Sequence, residues 1–107
     1  MIDLLTAIGT ATHLSVKPFD TDIVETCITY RYWQTSRFVW RLELRIIGFT
    51  LKEVDEIAEE VLEGINDFGD TAQVEGFASI EMNGGGVLKD YTTNTIHKML
   101  YFDVVKK

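Results

Sequence analysis

The clearest alternation of apolar and polar residues in this chain lies between Phe38 and Ile46. Its polar positions include Arg41, Glu43 and Arg45. Successive side chains of a β-strand point to opposite faces of a sheet, so this period of two predicts a strand with one charged face. The apolar face would comprise Phe38, Trp40, Leu42, Leu44 and Ile46.

The segment that follows repeats at the helical period. Thr50 and Glu53 have the spacing of a capping box, in which a hydroxyl and a carboxylate each bond a backbone N–H left unpaired by the first helical turn. The apolar stripe comprises Leu51, Val54, Ile57, Ala58, Val61, Leu62 and Ile65. Most other positions are acidic, among them Glu56, Glu59 and Glu63. The pattern therefore predicts an amphipathic helix with an acidic outer face.

Three further segments predict strands. Residues 23 to 33 and 96 to 105 are rich in β-branched and aromatic residues, and residues 77 to 82 alternate more weakly. Residues 34 to 36 are typical of a short hairpin connection. Residues 83 to 86, Asn-Gly-Gly-Gly, tolerate positive φ and favour a turn or a bulged hairpin.

The remaining segments predict a short helix and several connections. Residues 2 to about 9 repeat apolar side chains at helical spacing, and we expect Gly9 to end this helix. Residues 10 to 22 show neither period and predict a long loop. Residues 64 to 70 contain two glycines and predict the end of the acidic helix and a flexible link. Residues 87 to 91 would extend the returning strand.

These elements together predict a single α+β domain over residues 1 to 107. Its antiparallel or mixed sheet would have about four strands, with the long amphipathic helix packed on it and a short N-terminal helix. A chain of 107 residues has the usual length of one domain. Its apolar fraction of 46% and charged fraction of 25% are typical of a folded globular protein.

Charge and composition make several classes of partner unfavourable. The 10 basic and 17 acidic side chains give a net charge of -7, which repels nucleic acid and predicts no direct sequence-specific binding to it. No apolar run approaches the roughly 20 residues that span a bilayer, so we expect no membrane partner. The single cysteine, Cys27, excludes an internal disulfide, and its strand-like neighbours predict a buried structural thiol.

No motif for catalysis, cofactor binding or metal binding is found. His13 and His97 are the only imidazoles, and neither has a second ligand at metal-binding spacing. The serines lack a nucleophile elbow. The triple glycine has no Gly-Lys-Ser/Thr ending and no helix after it, as a phosphate loop requires. The motifs therefore predict no cofactor and no metal, whereas the carboxylate spacing neither supports nor excludes acid-base catalysis by a pair of carboxylates.

Two charged surfaces are the candidate sites. Arg31, Arg41 and Arg45 lie on predicted strands and would project from the outer sheet face, with Glu43 between them. One interpretation is a ladder of ion pairs between strands. The other is a subunit contact, in which these arginines meet the acidic residues Glu56, Glu59 and Glu63 of a neighbouring copy in head-to-tail association.

The order of elements is more specific than any single motif. A short helix, a long loop, the strand at residues 27 to 31, the acidic helix, the glycine turn at 84 to 86 and the closing strand at 96 to 104 resemble small tail-terminator proteins. These proteins belong to long-tailed bacteriophages, and their relatives are described as minor capsid or tail-completion proteins. The likeness extends over most of the chain.

The resemblance implies a structural protein of the virion that is not an enzyme and has no catalytic residues, present in the host cytoplasm during assembly. Such a protein forms a hexameric ring that caps the tail tube, stops its polymerisation and docks to the head connector. Its expected partners are copies of itself, the major tail tube protein and the connector or stopper protein. Residues 10 to 22 and 66 to 75 would then order in the ring. The alternatives are a head-tail stopper or adaptor, and a small dimeric ligand-binding domain or enzyme.

Overall fold

The structure is a computed structural model that describes residues 2 to 18, 25 to 69 and 77 to 106. Two helices and five strands account for most of these residues. In chain order the elements are α1 (Ile2–Thr12), β1 (Val16–Pro18), β2 (Cys27–Gln34), β3 (Val39–Gly48), α2 (Leu51–Gly69), β4 (Phe77–Asp90) and β5 (Thr95–Lys106). The predicted α+β class is confirmed.

The five strands form one mixed sheet in the order β1-β2-β3-β5-β4. β1 pairs with β2 in parallel, and the other three pairs are antiparallel. The sheet has one strand more than the four expected. The additional strand is β1, which lies inside the segment predicted as a loop and carries only three residues, too few to show a period of two.

Both helices pack on one face of the sheet. The register places Leu42 opposite Phe102 and Leu44 opposite Leu100, so the apolar positions of β3 and β5 meet on that face. The buried cluster comprises Leu4, Leu5, Ile8, Ile28, Leu42, Leu44, Ile46, Val54, Ile57, Ala58, Val61, Ile65, Leu100, Phe102 and Val104. α1 therefore packs within its own fold, and the predicted apolar and charged faces of β3 are confirmed.

The capping box that starts α2 is confirmed in a modified form. The Glu53 backbone N–H donates to Thr50 Oγ1 at 3.1 Å, as the motif requires. The Glu53 carboxylate, however, accepts the backbone N–H of Phe49 at 3.1 Å, one residue before the expected donor. The same Glu53 Oε1 accepts the Thr26 hydroxyl at 3.1 Å, which ties the helix start to the residue before β2.

The prediction that Gly9 ends the first helix is wrong. α1 continues to Thr12, and His13 adopts φ 57° and donates its backbone N–H to the Gly9 carbonyl at 2.9 Å. This left-handed residue closes the helix in the way that a glycine commonly does. Gly9 is tolerated inside the helix because the packing of α1 on α2 outweighs its low propensity, about 1 kcal/mol below that of alanine.

The predicted stop of α2 within residues 64 to 70 is confirmed at the far end of that range, because the helix runs to Gly69 and passes through Gly64. Gly64 is buried where α1 crosses α2. A Cβ added there would lie 2.7 Å from Ala11 Cβ and 3.5 Å from the Ala7 carbonyl oxygen. This glycine therefore permits close approach of two helices and does not mark a helix end.

The glycines of residues 84 to 86 do not make a turn. β4 is one strand of 14 residues that continues through them, with an irregularity of register between Met82 and Gly85. Gly84 has φ 109°, and a Cβ at Gly85 would lie 2.6 Å from the Met99 carbonyl oxygen. The segment is thus a bulge, and the hairpin lies at residues 91 to 94, where Asp90 Oδ1 accepts the Thr92 backbone N–H at 2.9 Å.

Smaller differences concern element ends. β2 begins at Cys27, and the predicted strand residues 23 and 24 lie outside the described residues, as do loop residues 19 to 22 and 70 to 75. Phe38 precedes β3 and is exposed. Leu51 and Leu62 were expected in the buried stripe of α2, but both are exposed because they lie at its margins.

Candidate interaction surfaces

The sheet face that points away from both helices carries the three predicted arginines. The register puts Arg31 opposite Glu43 and Glu43 opposite Tyr101, and it puts Arg41 opposite Asp103. Because residues paired across antiparallel strands share a face, all of these side chains lie on one surface, which we call the charged face. Arg45 lies on the same face, opposite Met99.

Ion pairs connect neighbouring strands across the charged face. Arg31 Nε pairs with Glu43 Oε2, and only 2% of the Glu43 side chain is exposed. Arg41 Nε lies 3.3 Å from Asp103 Oδ1, and Asn83 Nδ2 donates to the other oxygen of Asp103 at 2.8 Å. Arg31 and Arg41 therefore form a ladder of ion pairs between strands, which was the first of the two interpretations.

Two of the arginines also keep outward surface. The Arg31 side chain is 54% exposed, and its guanidinium carbon lies 5.3 Å from the centre of the Trp33 ring. The Arg41 side chain is 38% exposed. A guanidinium has five N–H donors in a planar fork, so one carboxylate does not exhaust it. The second interpretation, a contact with a neighbouring copy, therefore stays a prediction.

The part of the charged face around His97 contains buried polar side chains. His97 is 4% exposed and its Nε2 lies 2.8 Å from Thr95 Oγ1, while its Nδ1 has no hydrogen-bond partner among the described residues. The hydroxyl of buried Thr29 is likewise without such a partner. Burial, followed by the positive charge of Arg45, lowers the pKa of His97, and the negative charge of Asp90 acts in the opposite direction.

We expect this histidine to make stability depend on pH. Because its folded pKa is below its ordinary value of 6.5, the unfolded chain binds more protons between the two values, and the free energy of unfolding falls as pH drops below about 6.5. The slope contributed by one group is at most about 1.4 kcal/mol per pH unit. Urea unfolding at pH values on either side of 6.5 should show this loss in the native chain and a smaller one in His97→Gln.

The matched control is His13→Asn, which removes the exposed imidazole at a left-handed position that asparagine tolerates. This variant should keep the pH slope of the native chain. An unchanged slope in His97→Gln would show that other groups cause the dependence.

The outer face of α2 carries the predicted acids. Glu56, Glu59 and Glu63 are exposed, as expected. Among the described residues, the ion pair of Glu56 is a long contact of 3.9 Å with Lys52, whose side chain is 86% exposed. An ion pair so open to solvent contributes little to stability. The fold therefore leaves these carboxylates available to a partner.

The two edges of the sheet differ strongly. β1 carries three residues and ends in Pro18, so it covers only residues 28 to 30 of β2. β4 is the opposite edge, and every residue from 81 to 89 is exposed. Sequence reasoning missed these edges because the triple glycine divided β4 into two short strands, and an edge is defined only once the strand order is known.

The described residues offer little to small-molecule chemistry. They contain no group of three or more His, Cys, Asp or Glu side chains arranged to hold a metal. A cavity of about 210 Å³ lies between α1, β1 and β2 and is lined by Leu5, Thr6, Val16 and Tyr30. Among the described residues, its lining contains two hydroxyls and no charged or imidazole group, so it could hold a small apolar side chain more readily than position a reacting one.

Cys27 is buried, as predicted for a structural thiol, and is 1% exposed. Burial raises the pKa of its thiol, and the charges of Lys17 and Glu25 act in opposite directions on it. A neutral, inaccessible thiol is a poor nucleophile.

No protein-family model matches this sequence, and no curated protein is significantly similar to it. Among the helices of the described residues, neither α1 nor α2 is both long and apolar enough to cross a membrane.

Proposed function

We propose that this chain is a tail terminator of a long-tailed bacteriophage, a structural protein of the head-tail junction that works by symmetric self-association. It would form a hexameric ring, cap the tail tube and dock to the head connector without catalysing a reaction. It would act in the virion and assemble in the host cytoplasm. The starting point of this proposal is the resemblance in the order of the helices and strands, although the glycines at 84 to 86 form a bulge and β1 lies in the expected loop.

The observation that most favours association is the difference between the two edges of the sheet. One edge is the long exposed strand β4, and the other combines the short β1 with an exposed end of β2. Unlike surfaces on one molecule favour head-to-tail contacts, which close into a ring when the rotation between copies permits. A protein that works as a monomer commonly protects such a long edge.

The acidic face of α2 supplies the second candidate contact. The face projects Glu56, Glu59 and Glu63 on the opposite side of the fold from the charged face. In a ring, such a face would meet either the next copy, through Arg31, Arg41 or Arg45, or a basic surface of the tube or connector. Charge complementarity of this kind governs the rate and specificity of assembly more than its strength.

Purified chain added to polymerising tail tube protein from the same gene neighbourhood tests the function. Tubes observed by electron microscopy should become shorter and carry a cap at one end. We expect the triple variant Glu56→Lys, Glu59→Lys, Glu63→Lys to fold normally and to cap at least tenfold less efficiently, because reversing three charges removes at least about 1.4 kcal/mol of favourable interaction.

The triple glutamine variant at the same positions is the matched control, since it removes the charges without reversing them and should give an intermediate result. Equal capping by all three proteins would show that the acidic face is a solvated surface. Binding to the portal side of the head with no effect on tube length would instead indicate a stopper or adaptor.

A further inference from the structure

The exposed edge of β4 has a counterpart at the other side of the sheet. β2 continues for four residues, Arg31 to Gln34, beyond the last residue paired with β1. All four side chains are exposed, including 39% of Tyr32 and 38% of Trp33. Among the described residues no strand pairs with this end of β2 on the side away from β3, so the described part of the sheet has a second open edge here.

The register places the two open edges at the same height. One row of paired residues crosses the sheet from Tyr32 through Leu42 and Phe102 to Met82. The next row crosses from Trp33 through Arg41 and Asp103 to Glu81. Each row thus begins on β2 and ends on the part of β4 that precedes its bulge.

The chemistry of the two edges is complementary. On the side of the sheet that faces the helices, the first row ends in half-exposed Met82 at one edge and in the ring of Tyr32 at the other. A thioether packs favourably against an aromatic ring. On the charged face, exposed Glu81 lies at one edge and exposed Arg31 near the other. Pairing of β4 with β4 of another copy would instead bring acidic residues together, because each strand carries two acids, Glu81 and Asp90, and one lysine.

We propose that β4 of one copy pairs in antiparallel orientation with the end of β2 in the next copy, so that the sheet continues from subunit to subunit. The side chains favour one register, in which Met82 lies opposite Tyr32 of the next copy. In that register Glu81 lies diagonally beside the Arg31 of the next copy, so both complementary contacts form together. Backbone hydrogen bonds hold the two strands together, and the side chains set the register.

This inference rests on the proposed ring and names the contact that builds it. The test is a double variant, Tyr32→Cys with Met82→Cys, in the full chain under mild oxidation. Directly opposed residues of antiparallel strands have Cα atoms about 4.5 to 5.5 Å apart, within the range of a disulfide. Non-reducing electrophoresis should show a ladder of covalent oligomers that ends at the ring.

Each single variant is a control, because a head-to-tail contact leaves either cysteine without a partner thiol. Cys27 is buried and present in the native chain and in every variant, so the native chain gives the background level of cross-linking. The matched control pairs Tyr32→Cys with Val87→Cys, because Val87 is exposed to a similar extent as Met82 and lies on the same face of the sheet but beyond the bulge. Both single and double variants replace exposed side chains and should keep the native fold.

Several results would overturn the inference. Covalent dimers from Met82→Cys alone would show that β4 pairs with itself. Equal cross-linking in the Val87 control would show that the contact has no defined register. An oligomer of ring-sized mass that gives no ladder of covalent products would show that the ring contact lies elsewhere. That result would not contradict the proposed function. A chain that stays monomeric at millimolar concentration would contradict both.

Discussion

Replacing Phe102 with alanine is expected to lower the free energy of unfolding by about 3 to 5 kcal/mol. Phe102 is 2% exposed and lies on β5, between β3 and β4, where it faces the helices. Truncating its ring removes the favourable transfer of that ring from water and leaves a cavity that the sheet cannot collapse to fill. A domain of this size has about 5 to 15 kcal/mol of stability in total, so the variant should be close to unfolding.

Urea denaturation followed by circular dichroism measures this loss. Phe49→Ala is the matched control, because it makes the same substitution at a phenylalanine that is 57% exposed. It should change the free energy of unfolding by about 0.5 kcal/mol or less. Similar losses in both variants would contradict the position assigned to the core.

The second large effect is expected at the crossing of the two helices. Gly64→Leu should lower the free energy of unfolding by about 1 to 3 kcal/mol, although leucine has the higher helix propensity. The reason is steric, since even a Cβ at residue 64 would lie 2.7 Å from Ala11 Cβ, and α1 would have to move away from α2. Thermal and urea unfolding both report this change.

A double-mutant cycle separates this clash from other causes. Gly64→Ala alone should destabilise, and Ala11→Gly combined with it should recover part of the loss because the opposing methyl group is removed. Gly86→Ala is the control for loss of a glycine, since a Cβ there meets nothing within 4 Å. Additive effects of the two substitutions at the crossing would show that the helices do not touch there.

Periodicity alone predicts the elements that decide this fold. The alternation of β3, the stripe of α2 and the closing strand β5 are all found where the sequence places them. These segments are long and their apolar positions face one common core, so local pattern and tertiary packing agree.

The errors concern glycines, whose local meaning is ambiguous. Gly9 and Gly64 lie inside helices, and Gly84 to Gly86 lie inside a strand. A glycine ends an element in many proteins, but it also permits close approach of two backbones or side chains. Only the position of α1 against α2, and of β4 against β5, decides between these roles.

The candidate sites were predictable in part. The sequence placed Arg31, Arg41 and Arg45 on the outer sheet face, and the register confirms that placement. It did not identify Asp103 as the partner of Arg41, because those residues are 62 positions apart in the chain. The open edges likewise depend on strand order, which is a property of the whole sheet.

The absolute mass of the chain in solution, measured by light scattering during size-exclusion chromatography over a range of concentrations, tests self-association most directly. The proposal predicts a defined oligomer of the mass of a hexamer, whose population grows at the expense of the 12.2 kDa monomer as concentration rises. A compact dimer, or a monomer at every concentration, would contradict the account.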